Sequence, residues 1–149
     1  MIELKRTTSK DPDFNYLNKI LDMELTIRDG DEHAFFDQFN KIDTINHIIV
    51  AYDNGDAVGC GAIKMFDREK AEIKRMFVLP EARGKMIASR VLKELEEWSK
   101  ELGYNTCILE TGGSFKDAIG LYIKTGYEIS KNYGQYLGIK SSVCFSKSL

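Results

Sequence analysis

The stretch Arg83-Gly84-Lys85-Met86-Ile87-Ala88-Ser89-Arg90 ("RGKMIASR") stands between an apolar run at 76–82 ("MFVLPEA") and a segment of helical period at 91–102 ("VLKELEEWSKEL"). Where a strand hands over to a long helix, the first helical N–H groups have no intrahelical partner and lie at the positive end of the helix dipole. Such an end attracts anions. Gly84 allows backbone conformations closed to other residues, Ala88 and Ser89 keep the surface low, and Arg83 and Lys85 add positive charge. This combination suits a pyrophosphate. It is neither a Walker loop, which needs a lysine followed by Ser or Thr, nor a dinucleotide fingerprint, which needs three spaced glycines. An ordinary basic helix start on a protein surface has the same residue types, so the rest of the chain must decide.

Outward from this junction the pattern is alternating. Residues 71–79 ("AEIKRMFVL") are β-rich, as are 47–53 ("HIIVAYD") and 57–66 ("AVGCGAIKMF"), and Asn54-Gly55 between the last two is a strong hairpin signal. These three runs are expected to form an antiparallel meander. Alternation along 72–78 puts Glu72, Lys74, Met76 and Val78 on one face and Ile73, Arg75 and Phe77 on the other. Upstream, 2–6 ("IELKR") reads as a strand. Asp11 is placed to cap a helix with Pro12 at its first position, and Phe14, Leu17, Ile20 and Leu21 share one helical face. A shorter helix is expected through 32–41 ("EHAFFDQFNK").

Downstream, Ile87, Val91, Leu92, Leu95, Trp98 and Leu102 keep a helical period that stops at Gly103. A strand at 104–111 ("YNTCILET") follows, then a helix with Ser114 as expected cap, carrying Ala118, Ile119, Tyr122 and Ile123 and ending at Gly126. The strands 127–129 and 142–146 close an order β-α-α-β-β-β-α-β-α-β-β.

The 149 residues are 43% apolar and 30% charged, the range of a globular protein with one substantial core, and a single domain over 1–149 is expected. No run is long enough to cross a bilayer, and "MIELKRTTSK" lacks the apolar centre of a signal peptide, so a cytoplasmic location is expected and no membrane partner. Cys60, Cys107 and Cys144 are odd in number and lie in apolar runs, which suggests reduced core thiols and no metal site. A net charge of −2 gives no bulk attraction for nucleic acid. Charge is nevertheless uneven. Asp22, Glu24, Asp29, Asp31, Glu32 and Asp37 crowd the N-terminal third, while Lys64, Arg68, Lys70, Lys74, Arg75, Arg83 and Lys85 gather in the middle.

The junction together with "AEIKRMFVLPEARGK", "ELGYNTCILETG" and "AIGLYIKTGYE" resembles successive segments of the GNAT superfamily of N-acetyltransferases. The resemblance implies an α+β (α/β/α) fold: a mixed, mostly antiparallel twisted sheet of six to seven strands flanked by four helices. The closing "NYGQY" and "SVCFSK" are similar to a bacterial branch of small members whose acceptors are mostly unassigned. The family's loop motif is Arg or Gln, two residues, Gly, one residue, Gly or Ala. The resemblance implies that Arg83, Gly84, Lys85, Met86, Ile87, Ala88 and Ser89 hold the pyrophosphate of acetyl-CoA, the co-substrate, with Thr111 a further cofactor-binding position and no metal. Met86 stands where the family usually has glycine, which predicts a less approachable central amide. Phe115 stands near a position where the family often has Asn to bond the cofactor.

An alkyl amine has a pKa of about 10, so presenting it as a free nucleophile at neutral pH costs roughly 4 kcal/mol, and a base is useful. The resemblance implies Glu72, near the start of the fourth strand, as that base, directly or through water; partial burial there is expected to raise its pKa toward the operating pH. Glu110 on the fifth strand is the competing carboxylate, and a surface ion pair of Glu72 with Lys70 or Lys74 is the non-catalytic reading. The departing CoA thiolate leaves more readily when a proton or hydrogen bond meets it. The resemblance implies Tyr122 for that role, against a packing role on the face shared with Ala118 and Ile119. If the fourth and fifth strands splay, N–H groups at Phe77 and Val78 can bind the pantetheine and polarise the thioester carbonyl.

The acidic N-terminal helices and the loop with Tyr133 and Tyr136 are expected to wall the acceptor, which makes a small cationic amine the expected partner. The acids also fit a solvated helix face. His33 and His47 have no partner pattern, and no histidine neighbours Cys144 to support an acyl-cysteine route. The expectation is therefore direct N-acetyl transfer from acetyl-CoA to a primary amine of a small molecule. A non-catalytic acyl-CoA-binding or regulatory domain is the alternative, a cofactor-free interaction module is a third, and homodimerisation stays open.

Overall fold

The computed structural model describes residues 1–38, 41 and 45–149. Seven strands form one sheet: β1 (Ile2–Thr7), β2 (His47–Asp53), β3 (Asp56–Met65), β4 (Lys70–Val78), β5 (Thr106–Gly112), β6 (Glu128–Ser130) and β7 (Ser142–Ser148). Their order is β1-β2-β3-β4-β5-β7-β6. Four α-helices accompany them: α1 (Pro12–Asp29), α2 (His33–Asp37), α3 (Ile87–Glu101) and α4 (Lys116–Lys124). The mixed, mostly antiparallel sheet and its four helices match the expected α+β architecture. The chain divides into two compact units, Met1–Lys64 with Ile73–Glu97, and Met65–Glu72 with Trp98–Leu149.

In the first unit, β1 pairs antiparallel with β2 and β2 with β3. The β2–β3 turn is the one read from Asn54-Gly55: both residues have positive φ, 52° and 93°, as a two-residue hairpin of this hand requires. Asp11 caps α1 as expected, its carboxylate accepting from the Asp13 N–H at 2.8 Å, and Lys5 Nζ meets the same carboxylate at 2.7 Å. Phe14, Leu17 and Leu21 of α1 are buried, whereas Ile20 lies at the margin of that face. The expected helix at 32–41 is shorter: a 3₁₀ turn, Gly30–Glu32, leads into α2, which ends at Asp37. Phe39 and Asn40 of that expectation lie outside the described residues. Ile87, Val91, Leu92 and Leu95 bury one face of α3. Gly61 of β3 lies under that face, where a Cβ would come 2.6 Å from Met76 Sδ, 2.8 Å from Leu95 Cδ1 and 2.9 Å from Val91 Cγ1.

Simple alternation along β4 does not hold. Arg75 has φ +56°, a left-handed residue inside a strand, and this irregularity re-aims the side chains around it. Its guanidinium, with a side chain only 2% exposed, donates from Nε to Asn18 Oδ1 at 2.7 Å and from Nη2 to Asp22 Oδ1, both on α1. The pull of a buried charge toward its two acceptors is local compensation for the backbone strain.

In the second unit, the first residues of β4 pair parallel with β5, Lys70↔Thr106, Ala71↔Cys107 and Glu72↔Ile108. β5 pairs antiparallel with β7, and β7 with the short β6. Ser114 is not the cap of α4: the helix starts one residue later than expected, so Phe115, whose ring has no acceptor, occupies that position without a side-chain hydrogen bond. Gly103 and Gly126 end α3 and α4 with φ of 96° and 99°, as the sequence led us to expect. Leu102 lies past the end of α3 and is exposed. Among the described residues no helix is long and apolar enough to cross a membrane.

Gly61→Ala tests how closely α3 packs over β3. The added methyl overfills the contact and is expected to destabilise the fold by about 1–3 kcal/mol, read as a lowered chemical-denaturation midpoint. An unchanged midpoint would show that α3 is free to lift.

Candidate functional site

At the junction ahead of α3, the 3₁₀ turn Pro80–Ala82 carries the chain out of β4. Gly84 then takes φ +85° and Met86 φ +62°. Two left-handed residues in four turn the backbone sharply into the helix. Among the described residues, no backbone carbonyl accepts from the N–H groups of Gly84, Lys85, Met86, Ile87, Ala88 or Ser89, and the first bond of the helix runs from the Arg90 N–H to the Met86 carbonyl at 3.2 Å. Those donors cluster at the positive end of α3. Met86 follows the path a glycine would, and its side chain, 64% exposed, points away from the buried face on which Ile87 packs. A Cβ on Gly84 would meet nothing within 4 Å, so the surface above it is open.

The cations of the junction have acidic partners. Arg83 Nη2 lies 3.3 Å from Glu24 Oε2, its Nε donates to the Val78 carbonyl at 3.0 Å, and its guanidinium lies 5.9 Å from the centre of the Phe77 ring. Lys85 Nζ meets Asp53 Oδ2 at 3.2 Å and draws that carboxyl below the usual carboxylate range. Exposed pairs of this kind are worth about 1 kcal/mol or less, so a pyrophosphate with two charges can displace them. Phe77 and Val78 are buried at the end of β4.

A second group of side chains lies in the unit formed by residues 65–72 and 98–149. Glu72 is 5% exposed and accepts from the Tyr133 hydroxyl, 2.7 Å from Oε2. A carboxylate so buried and so bonded is not in a surface ion pair. Glu110 on β5 accepts from Ser142 Oγ of β7 at 2.7 Å. Burial, together with the nearby Glu110 and Glu72 charges, pushes the Tyr136 hydroxyl well above the ordinary tyrosine range. Burial and the same two carboxylates also raise the Cys144 thiol, against the pull of a hydrogen bond from the Tyr133 backbone. A thiol held neutral in this way is a poor nucleophile. Burial likewise pushes the Cys60 thiol up to about 12. Thr111 is buried on β5 opposite Val143.

Tyr122 on α4 is 6% exposed, and its ring stands 5.8 Å from that of Tyr127 and 5.7 Å from that of Phe145. Burial first, then the Asp117 and Glu110 charges, hold its hydroxyl far above the ordinary value. The group is therefore a neutral O–H donor throughout the neutral and mildly alkaline range.

The structure thus brings residues 83–89 together in one unit, with Phe77 and Val78, and brings Glu72, Glu110 and Tyr133 together in the other. Two residues escaped sequence reading. Tyr133 was legible as part of a loop wall but not as the partner of Glu72, 61 positions away. Arg75 was legible as a strand cation but not as a buried left-handed one. Among the described residues no cluster of His, Cys, Asp and Glu is arranged to hold a metal ion.

The chain is similar to known acetyltransferases. An IAA acetyltransferase of Azospirillum brasilense is 41% identical over 90 residues, 59% of this chain and 58% of that protein, so the chain spans little more than half of its length. An aminoalkylphosphonate N-acetyltransferase of Salmonella typhimurium is 34% identical over 135 residues, 86% of each chain. The crystal structure of a proposed acyl-CoA N-acyltransferase of Klebsiella pneumoniae superposes with a TM-score of 0.83 at 27% identity, over 100% of this chain and 98% of that one. The profile of the acetyltransferase (GNAT) family matches residues 14–127. With that match across most of its length, this chain belongs to the acetyltransferase (GNAT) family.

Proposed function

We propose that the protein transfers the acetyl group of acetyl-CoA directly to the primary amine of a small molecule. The observation that carries this reading is the row of N–H groups from Gly84 to Ser89 with no backbone acceptor, at the head of α3. It supports an anion cradle in which Arg83, Gly84, Lys85, Met86, Ile87, Ala88 and Ser89 bind the pyrophosphate. The left-handed turn at Met86 reproduces what glycine supplies at that place, so the methionine is compatible with the role.

In this reading Glu72 takes a proton from the acceptor, directly or through a water, and the amine lone pair attacks the thioester carbonyl carbon. As the tetrahedral intermediate collapses, the new C–N bond remains, the nitrogen gives its second proton to water, the C–S bond breaks and the sulfur carries away the electron pair. Tyr122 meets that sulfur with its O–H. A thiol is ordinarily more acidic than a phenol, and burial raises the phenol further, so Tyr122 stabilises the leaving thiolate by hydrogen bonding rather than by complete proton transfer. The products are the N-acetylated amine and free CoA. The name of the Salmonella relative supports a compact aminoalkyl acceptor, and Glu72 with Glu110 supplies negative charge suited to an ammonium group.

Release of free CoA thiol across a panel of aminoalkylphosphonates, polyamines, amino acids, aminoglycosides and peptides tests the activity. Acetyl-CoA binding with no thiol release from any amine would favour the non-catalytic acyl-CoA-binding alternative. Tyr122→Phe is expected to lower kcat at least tenfold while the calorimetric Kd for acetyl-CoA stays within about twofold. Because its hydroxyl stays protonated, kcat of the unmodified enzyme should show no descending limb from this residue at pH about 10, the ordinary tyrosine value. Arg83→Ala removes one charge from the cradle and should weaken acetyl-CoA binding about tenfold in low salt, with a smaller effect in high salt.

A further inference from the structure

We propose that Tyr133 is a positioning residue for Glu72: its hydroxyl, 2.7 Å from Oε2, fixes one carboxylate oxygen and leaves the other to face the acceptor. The inference rests on the reading of Glu72 as the base.

The donor is fixed before any substrate arrives. Tyr133 immediately precedes the 3₁₀ turn Gly134–Tyr136, and its ring is held edge-on by Phe66 at 5.2 Å and by Tyr136 at 5.6 Å. The loop is closed on itself by Asn132 Nδ2, which donates to the Tyr136 carbonyl at 3.1 Å and to the Ile139 carbonyl at 2.9 Å. Gly134, at φ +51°, packs beneath Phe66. A hydroxyl aimed by such a loop loses little freedom in bonding to Glu72.

Glu110 of β5, Tyr136 of the same loop and Cys144 of β7 are the titratable groups near Glu72, and both carboxylates act on Tyr136 and Cys144. Lys70, Lys74 and Arg75 are the cations of its own strand, and Arg75 is turned to Asn18 and Asp22 of α1. A second carboxylate disfavours ionisation, as does burial, whereas a hydrogen bond donated to the charged form favours it. The Tyr133 hydroxyl is itself held far above its ordinary value, by burial first and then by the Glu72 charge and hydrogen bond, so it keeps its proton through the neutral and mildly alkaline range.

The test needs no acceptor. In protein labelled with ¹³C at the glutamate side-chain carboxyl, the Glu72 signal is identified by its loss in Glu72→Gln and followed against pH. In Tyr133→Phe, which keeps the ring contacts, its titration midpoint should move up by about one pH unit. Fluorination of Tyr133 ortho to the hydroxyl makes a stronger donor of the same shape and should move the midpoint down, which keeps the test open if the phenylalanine variant misfolds. A midpoint that moves in neither protein overturns the proposal, whatever Glu72 does. Thiol release by Glu72→Gln with 2-aminoethylphosphonate, or failing that with ethanolamine or spermidine, separates the two readings. Undiminished turnover by that variant would remove Glu72 as base, and the positioning role with it, even if the midpoint had moved.

Discussion

The first turn of a helix has more N–H donors than the helix can use, and this chain places that surplus where a strand ends. In most proteins a Ser, Thr, Asp or Asn side chain satisfies part of the excess. Asp11 does so for α1. At α3 the capping position is instead held by Met86 in a left-handed turn, a residue without an acceptor. The donors therefore remain available to an external anion, and the flanking Arg83 and Lys85 are held in exchangeable surface pairs rather than in the core. An acyl-CoA ligand suits such a place because its pyrophosphate brings both the charge and the acceptor atoms.

Burial drives these titratable groups in one direction, with different chemical consequences. Tyr122, Tyr133 and Tyr136 are all driven toward the neutral form, which makes each a reliable donor. Cys144 is driven the same way and loses its nucleophilicity, which agrees with direct transfer to the amine over a cysteine-bound intermediate. One physical term, loss of solvent around a would-be anion, thus separates donors from bystanders.

Arg75 shows the cost of shaping β4. A left-handed non-glycine residue is disfavoured by roughly 1–2 kcal/mol. The buried guanidinium offsets that through Asn18 and Asp22, yet its Nη1 is buried without a hydrogen-bond partner among the described residues. The irregularity sits between Glu72, which pairs with β5, and Phe77 and Val78, which are counted with the junction.

Local rules legible in the sequence account for much of the molecule. The Asn54-Gly55 hairpin, the Asp11 cap, the stops at Gly103 and Gly126, the apolar faces of α1 and α3 and the order of elements along the chain all follow from turn chemistry and periodicity within a few residues. The helix-terminus signal at Arg83 to Ser89 is of the same kind, since its residue types act through their own backbone. Ser114 failed as a cap because a candidate side chain does not decide which way the preceding backbone turns. Glu72 and Tyr122 could be named from a resemblance, but their environments could not, because burial and partners come from residues far apart in the chain. Tyr133 reaches Glu72, and Arg75 reaches Asn18 and Asp22, only after strands and loops have been assembled. The sequence by itself determined the elements and the anion-seeking helix end, because those are interactions between near neighbours. Tertiary structure alone decided which carboxylate is held, by which hydroxyl, and how far from water, because solvation and charge depend on what the whole fold brings close.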